Sequence, residues 1–146
     1  MEKDYAEALK WTLKAANQGN ALGQRQLGEM YDSGVGVEKN HGEALKWYRK
    51  AAEQGDAVGQ TNVGYMYARG KGVEKDNVEA YAWWSIAAKG NSNAVKNLTI
   101  IEKKMSPQQI SEALKRTKEL RALIDITAKR FAVSLESSPA HFLEKK

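Results

Sequence analysis

The sequence repeats itself with a period of 36 residues, and this repetition constrains the fold more than any other feature. Residues 38–73 align with residues 2–37 after a shift of one period, and residues 74–90 continue the pattern. Three tryptophans recur in register, at Trp11, Trp47 and Trp83. A period of this length, with helical apolar spacing and one Gly-rich break per unit, indicates a stacked array of helix pairs.

Each repeat contains the signals for two helices. Asp4, Asn40 and Asp76 each precede a glutamate by three residues, which is the pattern of a capping box at a helix start. Glycines follow these helices at Gly19, Gly55 and Gly90, where we expect left-handed caps. Helices are therefore predicted over residues 4–18, 40–54 and 76–89, and after short links over residues 21–32, 57–69 and 92–104.

Several positions carry packing predictions. Gly28 and Gly64 lie in mid-helix, where glycine costs about 0.5–1 kcal/mol against alanine, so a close approach of another element is expected there. The recurring tryptophans are interpreted as core residues, whereas Trp84 has no tryptophan in the other copies and is expected to be exposed. The Gly-x-Gly pairs at residues 34–36 and 70–72 follow no strand, so they predict turns with positive φ and not phosphate loops.

A different pattern follows the repeats. Ser106 and Pro107 are typical of an N-cap and a first helical residue. Apolar residues at seven-residue spacing then predict a long helix that covers the last repeat. The predicted organisation is a repeat array over residues 1–105, a capping helix over residues 106–133 and a polar tail over residues 134–146.

The recurring motifs resemble the Sel-one-like repeat, a relative of the tetratricopeptide repeat. They are Leu-Gly-x-Met-Tyr at residues 27–31, Gly-x-Gly-Val at 34–37 and 70–73, and Ala-x-x-Trp at 8–11, 44–47 and 80–83. On this register the array comprises a half repeat, two full 36-residue repeats and a terminal half repeat. The resemblance implies an all-α fold, an α/α superhelical solenoid of antiparallel helix pairs with a long C-terminal capping helix. It also implies a bacterial protein that binds other proteins and catalyses no reaction.

No residue pattern indicates catalysis. The chain has no cysteine, and its two histidines, His41 and His141, have no zinc-binding or triad spacing. Glu7, Glu43 and Glu79 are a full repeat apart and are explained by capping. We therefore expect a non-enzyme without cofactor, metal or small-molecule substrate.

The charge is uneven along the chain. Residues 1–101 hold 13 Lys/Arg against 12 Asp/Glu, whereas residues 102–146 hold 10 against 6. A basic patch on the capping helix is one hypothesis for nucleic-acid binding, but interleaved aromatics are missing and a solvated helix is the favoured interpretation. The residues of this patch are Lys103, Lys104, Lys115, Arg116, Lys118 and Arg121.

The predicted binding surface is the face of the helices over residues 21–32, 57–69 and 92–104 that points away from the core. A step of 100° per residue places its residues opposite the core stripe of each helix or at the margins of that side. The resemblance implies that this side lines the concave groove of a tetratricopeptide-like stack. Its residues vary between copies while core residues repeat. An ordinary solvated face is the alternative. The predicted partner-binding residues are Arg25, Glu29, Val58, Thr61, Asn62, Tyr65, Arg69 and Lys96.

The leading hypothesis is an adaptor that captures a peptide or protein in this groove. The alternatives are a homodimerisation module that uses the capping helix and an inhibitor or immunity-type binder of a bacterial toxin or enzyme. No apolar run is long enough to span a membrane, and no signal-peptide pattern opens the chain. The chain begins inside a repeat, so we expect an upstream helix to be missing, and the compartment stays open between cytoplasm and periplasm.

Overall fold

The computed structural model describes residues 4–136, which form seven α-helices and no strand. The predicted all-α solenoid with a long C-terminal helix is confirmed. Of the predicted tail, residues 134–136 continue the last helix, since neither Gly nor Pro interrupts it there, and residues 137–146 lie outside the described residues, as do residues 1–3. The helices are α1 (Tyr5–Asn17), α2 (Ala21–Ser33), α3 (His41–Glu53), α4 (Ala57–Arg69), α5 (Asn77–Ala87), α6 (Ser92–Glu102) and α7 (Pro107–Glu136).

The helix starts use only half of the predicted capping box. The side chain of Asn40 accepts a hydrogen bond from the backbone N–H of Glu43, at 3.0 Å, as predicted. The backbone N–H of Asn40 donates instead to the carbonyl of Tyr31, at 2.9 Å, and Asp76 makes the equivalent bond to Tyr67. This N–H therefore ties each of these helices to the end of the preceding one. In a complete capping box the glutamate side chain would accept this N–H, so this half of the capping-box prediction is wrong for Glu43 and Glu79.

The loops between helices follow the glycine pattern with one exception. Gly19 and Gly55 have φ values of 87° and 97°, so they form the predicted left-handed caps. Gly34, Gly36, Gly70 and Gly72 also have positive φ, which confirms the turns. Gly90 does not have positive φ. One residue is deleted before it, and its N–H closes a tight turn onto the carbonyl of Ala87 at 2.9 Å.

Mid-helix glycines make room for aromatic rings of the next helix. A Cβ atom on Gly28 would lie 2.6 Å from the Tyr48 ring, and one on Gly64 would lie 2.3 Å from Nε1 of Trp84. Tyr48 and Trp84 are one period apart, and each packs against the glycine that lies 20 residues before it in the sequence. The prediction that Trp84 is exposed is therefore wrong, because its ring fills this space and is only 4% exposed.

The three recurring tryptophans have different environments. Trp83 is fully buried and Trp47 is 8% exposed, as core residues should be. Trp11 is 56% exposed, which contradicts the core prediction for the first copy. Its Nε1 donates to Glu7 at 2.8 Å, and no core cluster of the described residues includes it.

Helix α7 covers the last repeat and then packs against the side of the array formed by α5 and α3. Ser106 and Gln109 form a reciprocal capping box, at 3.1 Å and 2.9 Å, which fixes the start at Pro107. Ala113 joins a core cluster with residues of α5 and α6. Leu120 is buried against Trp83 and its neighbours, and Leu123 and Ile124 pack beside it. Through these contacts α7 touches both α5 and α3.

Candidate functional site

Two open clefts lie along the face formed by α2, α4 and α6, which we call the groove face. The N-terminal cleft measures about 320 Å³ and the C-terminal cleft about 210 Å³. The residues of the N-terminal cleft are Asp32, Tyr48, Asn62, Tyr65, Met66, Arg69 and Lys71. The residues of the C-terminal cleft are Tyr65, Ala68, Arg69, Lys75, Asn77, Trp84, Asn97, Ile100, Ile101 and Lys104.

The two clefts share a wall of stacked side chains. The guanidinium carbon of Arg69 lies 5.1 Å from the centre of the Tyr65 ring, a cation–π arrangement. Tyr65 meets Trp84 edge to face, with centroids 5.6 Å apart. Nε1 of Trp84 donates to the carbonyl of Thr61 at 3.0 Å, which fixes the indole. Arg69 and Tyr65, which line both clefts, therefore form a preorganised cationic and aromatic ridge between them, and the buried indole of Trp84 supports this ridge from the C-terminal side.

The structure brings only some of the predicted binding residues to these clefts. Asn62, Tyr65 and Arg69 line them. Thr61 does not, because it is only 3% exposed and its hydroxyl donates to the carbonyl of Ala57 at 2.8 Å. The prediction that Thr61 lines the groove is therefore wrong. Val58 is half-buried and Lys96 is exposed, and neither lines a cleft.

Arg25 and Glu29 lie at the N-terminal end of the groove face and are committed to ion pairs. Nε of Arg25 lies 3.0 Å from Asp56, an ionic contact whose angle is too poor for a hydrogen bond. Nη1 of Arg25 lies 3.6 Å from Glu29. Asp56 also caps α4 by accepting from the N–H of Gly59 at 2.7 Å. This end of the groove face is therefore neutralised internally, and a charge reversal at Arg25 would also disturb a helix cap.

The N-terminal cleft contains its own carboxylate. Oδ1 of Asp32 lies 2.9 Å from Nδ1 of His41, so this acid already has a partner. Tyr48 lines the same cleft, and burial, followed by the charge of Asp32, raises the pKa of its hydroxyl. The cleft thus combines an acid, a neutral tyrosine and the cationic Arg69 and Lys71.

Two residues that line the C-terminal cleft, Trp84 and Lys104, were not among the predicted binding residues, although the repeat alignment identifies both. Lys104 follows α6 at the position of Arg69, once the single deletion before Gly90 is counted. Trp84 occupies the position of Tyr48. Aligning all copies of the cleft positions, and not only the helix faces, would have found both residues.

The other candidate chemistries gain no support. Arg116, a member of the predicted basic patch, forms ion pairs with Glu79 and Glu119 at 2.9 Å and 3.1 Å. Within residues 4–136, His, Asp and Glu side chains form no group that could hold a metal ion. His141 lies outside the described residues. No helix described here is long and apolar enough to cross a membrane.

Comparisons with known proteins agree with this architecture. A family model, the Sel1 repeat, matches residues 1–20, 21–56 and 57–92. A crystal structure of a protective antigen present in uropathogenic Escherichia coli strains, displaying an SLR fold, is 33% identical with a TM-score of 0.81, over 94% of this chain and 30% of that chain. A Sel1 repeat protein from Oxalobacter formigenes is 42% identical with a TM-score of 0.65, over 68% of this chain and 42% of that one.

The chain therefore spans less than half the length of either of these structures. A comparison with curated proteins gave no significant match.

Proposed function

The chain belongs to the Sel1 repeat family, and on that premise we propose that its groove face binds a peptide or protein partner without catalysing a reaction. Proteins of this family are generally non-catalytic scaffolds for protein–protein interaction. The repeat array of residues 1–105 forms the binding unit in this proposal, and residues 106–133 cover its last helix pair.

The observation that carries the proposal is the ridge of Arg69 and Tyr65 between the two clefts, supported by the buried ring of Trp84. Tyrosine and arginine are enriched at the energetic centres of interfaces because they combine large contact area with polar ends. Here Trp84 is fixed by a hydrogen bond and Tyr65 packs against it, so little side-chain entropy remains to be lost when a partner binds.

The shape of the clefts favours a chain-like partner. Enclosed ligand sites have volumes of roughly 300–1,000 Å³, whereas the two clefts here are open, with volumes of about 320 Å³ and 210 Å³. Adjacent clefts that share one wall suit successive side chains of an extended peptide or a protein loop.

Site-specific photocrosslinking tests this proposal. In one variant a photoreactive phenylalanine analogue replaces Tyr65. In the matched control it replaces Lys118, an exposed residue of α7. Both variants are irradiated in the cells that produce the protein. We expect a discrete protein adduct from position 65 and none from position 118. Adducts from position 118 alone would contradict the proposal, provided that both variants show the same circular dichroism spectrum as wild type.

Self-assembly through α7 is a second candidate, favoured by one observation. Thr117 and Leu120 are buried on one face of α7. The same face continues through half-buried Ile124 to Phe131, which is 49% exposed. A second copy of the chain would cover this end of the face. Sedimentation equilibrium of wild type and a Phe131→Glu variant tests it, because a dimer should form only in wild type, and a concentration-independent monomer would refute self-assembly.

A further inference from the structure

The C-terminal cleft is the N-terminal cleft displaced by one repeat. Six of its residues occupy the positions of six residues in the other cleft, offset by 36 before the deletion and by 35 after it. The corresponding pairs are Asp32 and Ala68, Tyr48 and Trp84, Asn62 and Asn97, Tyr65 and Ile100, Met66 and Ile101, and Arg69 and Lys104.

The decisive difference between the two clefts is a carboxylate. Asp32 lines the N-terminal cleft and is paired with His41 at 2.9 Å. At the equivalent positions the C-terminal cleft has Ala68 and Asn77. The acid and its basic partner are therefore both absent from the later copy, although the cationic position next to them is kept as Lys104.

Three cations line the C-terminal cleft without an acid to balance them. They are Arg69, Lys75 and Lys104, all exposed, and among residues 4–136 none forms an ion pair. None of the described residues that line this cleft is acidic. Glu102, at the end of α6, accepts from the hydroxyl of Tyr81 at 3.3 Å and does not line the cleft.

One wall of this cleft is apolar. Ile100, Ile101 and Trp84 form its apolar wall. Nδ2 of Asn97 is buried and has no hydrogen-bond partner among the described residues. A side-chain shift would have to expose this donor before a ligand could reach it, so the exposed cations are the groups that a ligand carboxylate would meet in this cleft.

We propose that the C-terminal cleft is a selective site for an acidic peptide segment, one in which an Asp or Glu adjoins an apolar side chain. The carboxylate lies among Arg69, Lys75 and Lys104, where the earlier repeat carries its own acid, and the apolar side chain packs on Ile100 and Trp84. This inference rests on the proposed groove function and adds the chemistry of the partner. The N-terminal cleft has no such selectivity, because Asp32 occupies the place of the ligand carboxylate.

The test restores the missing acid. Ala68→Asp places a carboxylate where Asp32 stands in the earlier copy, at a half-buried position whose repeat equivalent already tolerates it. Ala68→Asn, similar in size and uncharged, is the matched control. Circular dichroism and thermal unfolding establish that both variants are folded.

The probe is a phage-displayed library of random eight-residue peptides, selected in parallel on wild type and on both variants. We expect Asp and Glu next to apolar residues to be enriched on wild type and Ala68→Asn but not on Ala68→Asp. The most enriched peptide, labelled with fluorescein, should bind Ala68→Asp at least about tenfold more weakly than wild type by anisotropy, and replacing its acids with Asn or Gln should cause a similar loss.

The other outcomes are distinct. Enrichment without acidic preference, or with the same preference on Ala68→Asp, overturns this proposal and leaves the groove function standing. No enrichment over a bare support on any of the three proteins also overturns it, while crosslinking from position 65 decides the groove function separately.

Discussion

Glu79, at the start of α5, and Arg116, on α7, form a bidentate ion pair. Nε and Nη2 of Arg116 donate to the two carboxylate oxygens at 2.9 Å and 3.1 Å. Glu79 is only 9% exposed and also accepts from Nε1 of Trp83 at 3.3 Å. The hydrogen bond to Glu79 is the largest cause of the raised pKa of Arg116. This pair joins the last helix to the repeat array in a way that capping alone did not predict.

Removal of Arg116 should destabilise the protein markedly. Arg116→Gln leaves the carboxylate of Glu79 without its counter-charge in a largely buried position. Breaking a fully buried pair costs about 3–5 kcal/mol, and the partial exposure of Arg116 lowers the expected loss to about 1–3 kcal/mol. Urea unfolding should show this loss. The control, Lys118→Gln, removes a charge at an exposed site of the same helix and should change the free energy of unfolding by less than about 0.5 kcal/mol. Equal stability of the two variants would contradict the role of the pair.

Two glycines in helices should respond oppositely to alanine. Gly64→Ala places a methyl group against the fixed indole of Trp84, and overpacking of this kind costs about 1–3 kcal/mol. Gly42, exposed in the first turn of α3, meets only Asn40 Oδ1 at 3.4 Å, so Gly42→Ala should stabilise the protein by about 0.5–1 kcal/mol. Thermal unfolding of the two variants compares them directly. A stabilising effect of Gly64→Ala would show that Trp84 does not occupy this space.

Equivalent tryptophans should contribute very differently to stability. Trp83 is fully buried, so Trp83→Ala should cost about 3–5 kcal/mol or prevent folding, as large core truncations do. Trp11 is 56% exposed, so Trp11→Ala should cost less than about 1 kcal/mol. Denaturant unfolding of both variants, with Trp83→Phe added to keep a measurable folded state, checks this. A large loss for Trp11→Ala would indicate that a partner or another part of the chain covers it.

The repeat pattern predicted the helices well because capping and glycine breaks are local signals. Asn40 and Gly55 mark the bounds of α3 to within two residues of the observed ends. Burial is not local, since it depends on which helix packs next to a given position. Trp11 and Trp83 therefore share a motif but not an environment, and Trp84 was misjudged because the space beside Gly64 lies twenty residues away in sequence.

The groove face was predicted in part for a similar reason. The angular step of a helix placed Tyr65 on the face opposite the core stripe and Asn62 and Arg69 at the margins of that face, and all three residues line the clefts. It failed at Thr61, because the residue is covered once the rest of the array packs around α4, where Trp84 of α5 bonds its carbonyl. Lys96 occupies the position of Thr61 in the last copy and was placed in the groove by the same step, but it lies outside the clefts.

Tyr48 should make the protein sensitive to alkaline pH. Burial, and then the nearby Asp32, raise the pKa of its hydroxyl above the ordinary value of about 10. The unfolded chain then releases this proton at a lower pH than the folded protein, so the stabilising contribution is complete below about pH 10 and declines as pH rises further. Between pH 9 and pH 11 the free energy of unfolding of wild type should therefore fall by about 1 kcal/mol through this group. A difference of one full proton between the folded and unfolded states is worth slightly more than this for each pH unit.

Tyr48→Phe removes the ionisable group and should flatten this decline, whereas Tyr5→Phe, at a residue that is 45% exposed, should leave it unchanged. Tyr81, whose pKa is raised by burial and by Glu102, contributes equally to wild type and both variants. Urea unfolding at pH 9, 10 and 11 gives the three slopes. A Tyr48→Phe slope equal to that of wild type would mean that the Tyr48 hydroxyl ionises as readily in the folded chain as in the unfolded one, and hence that it is open to water through the N-terminal cleft.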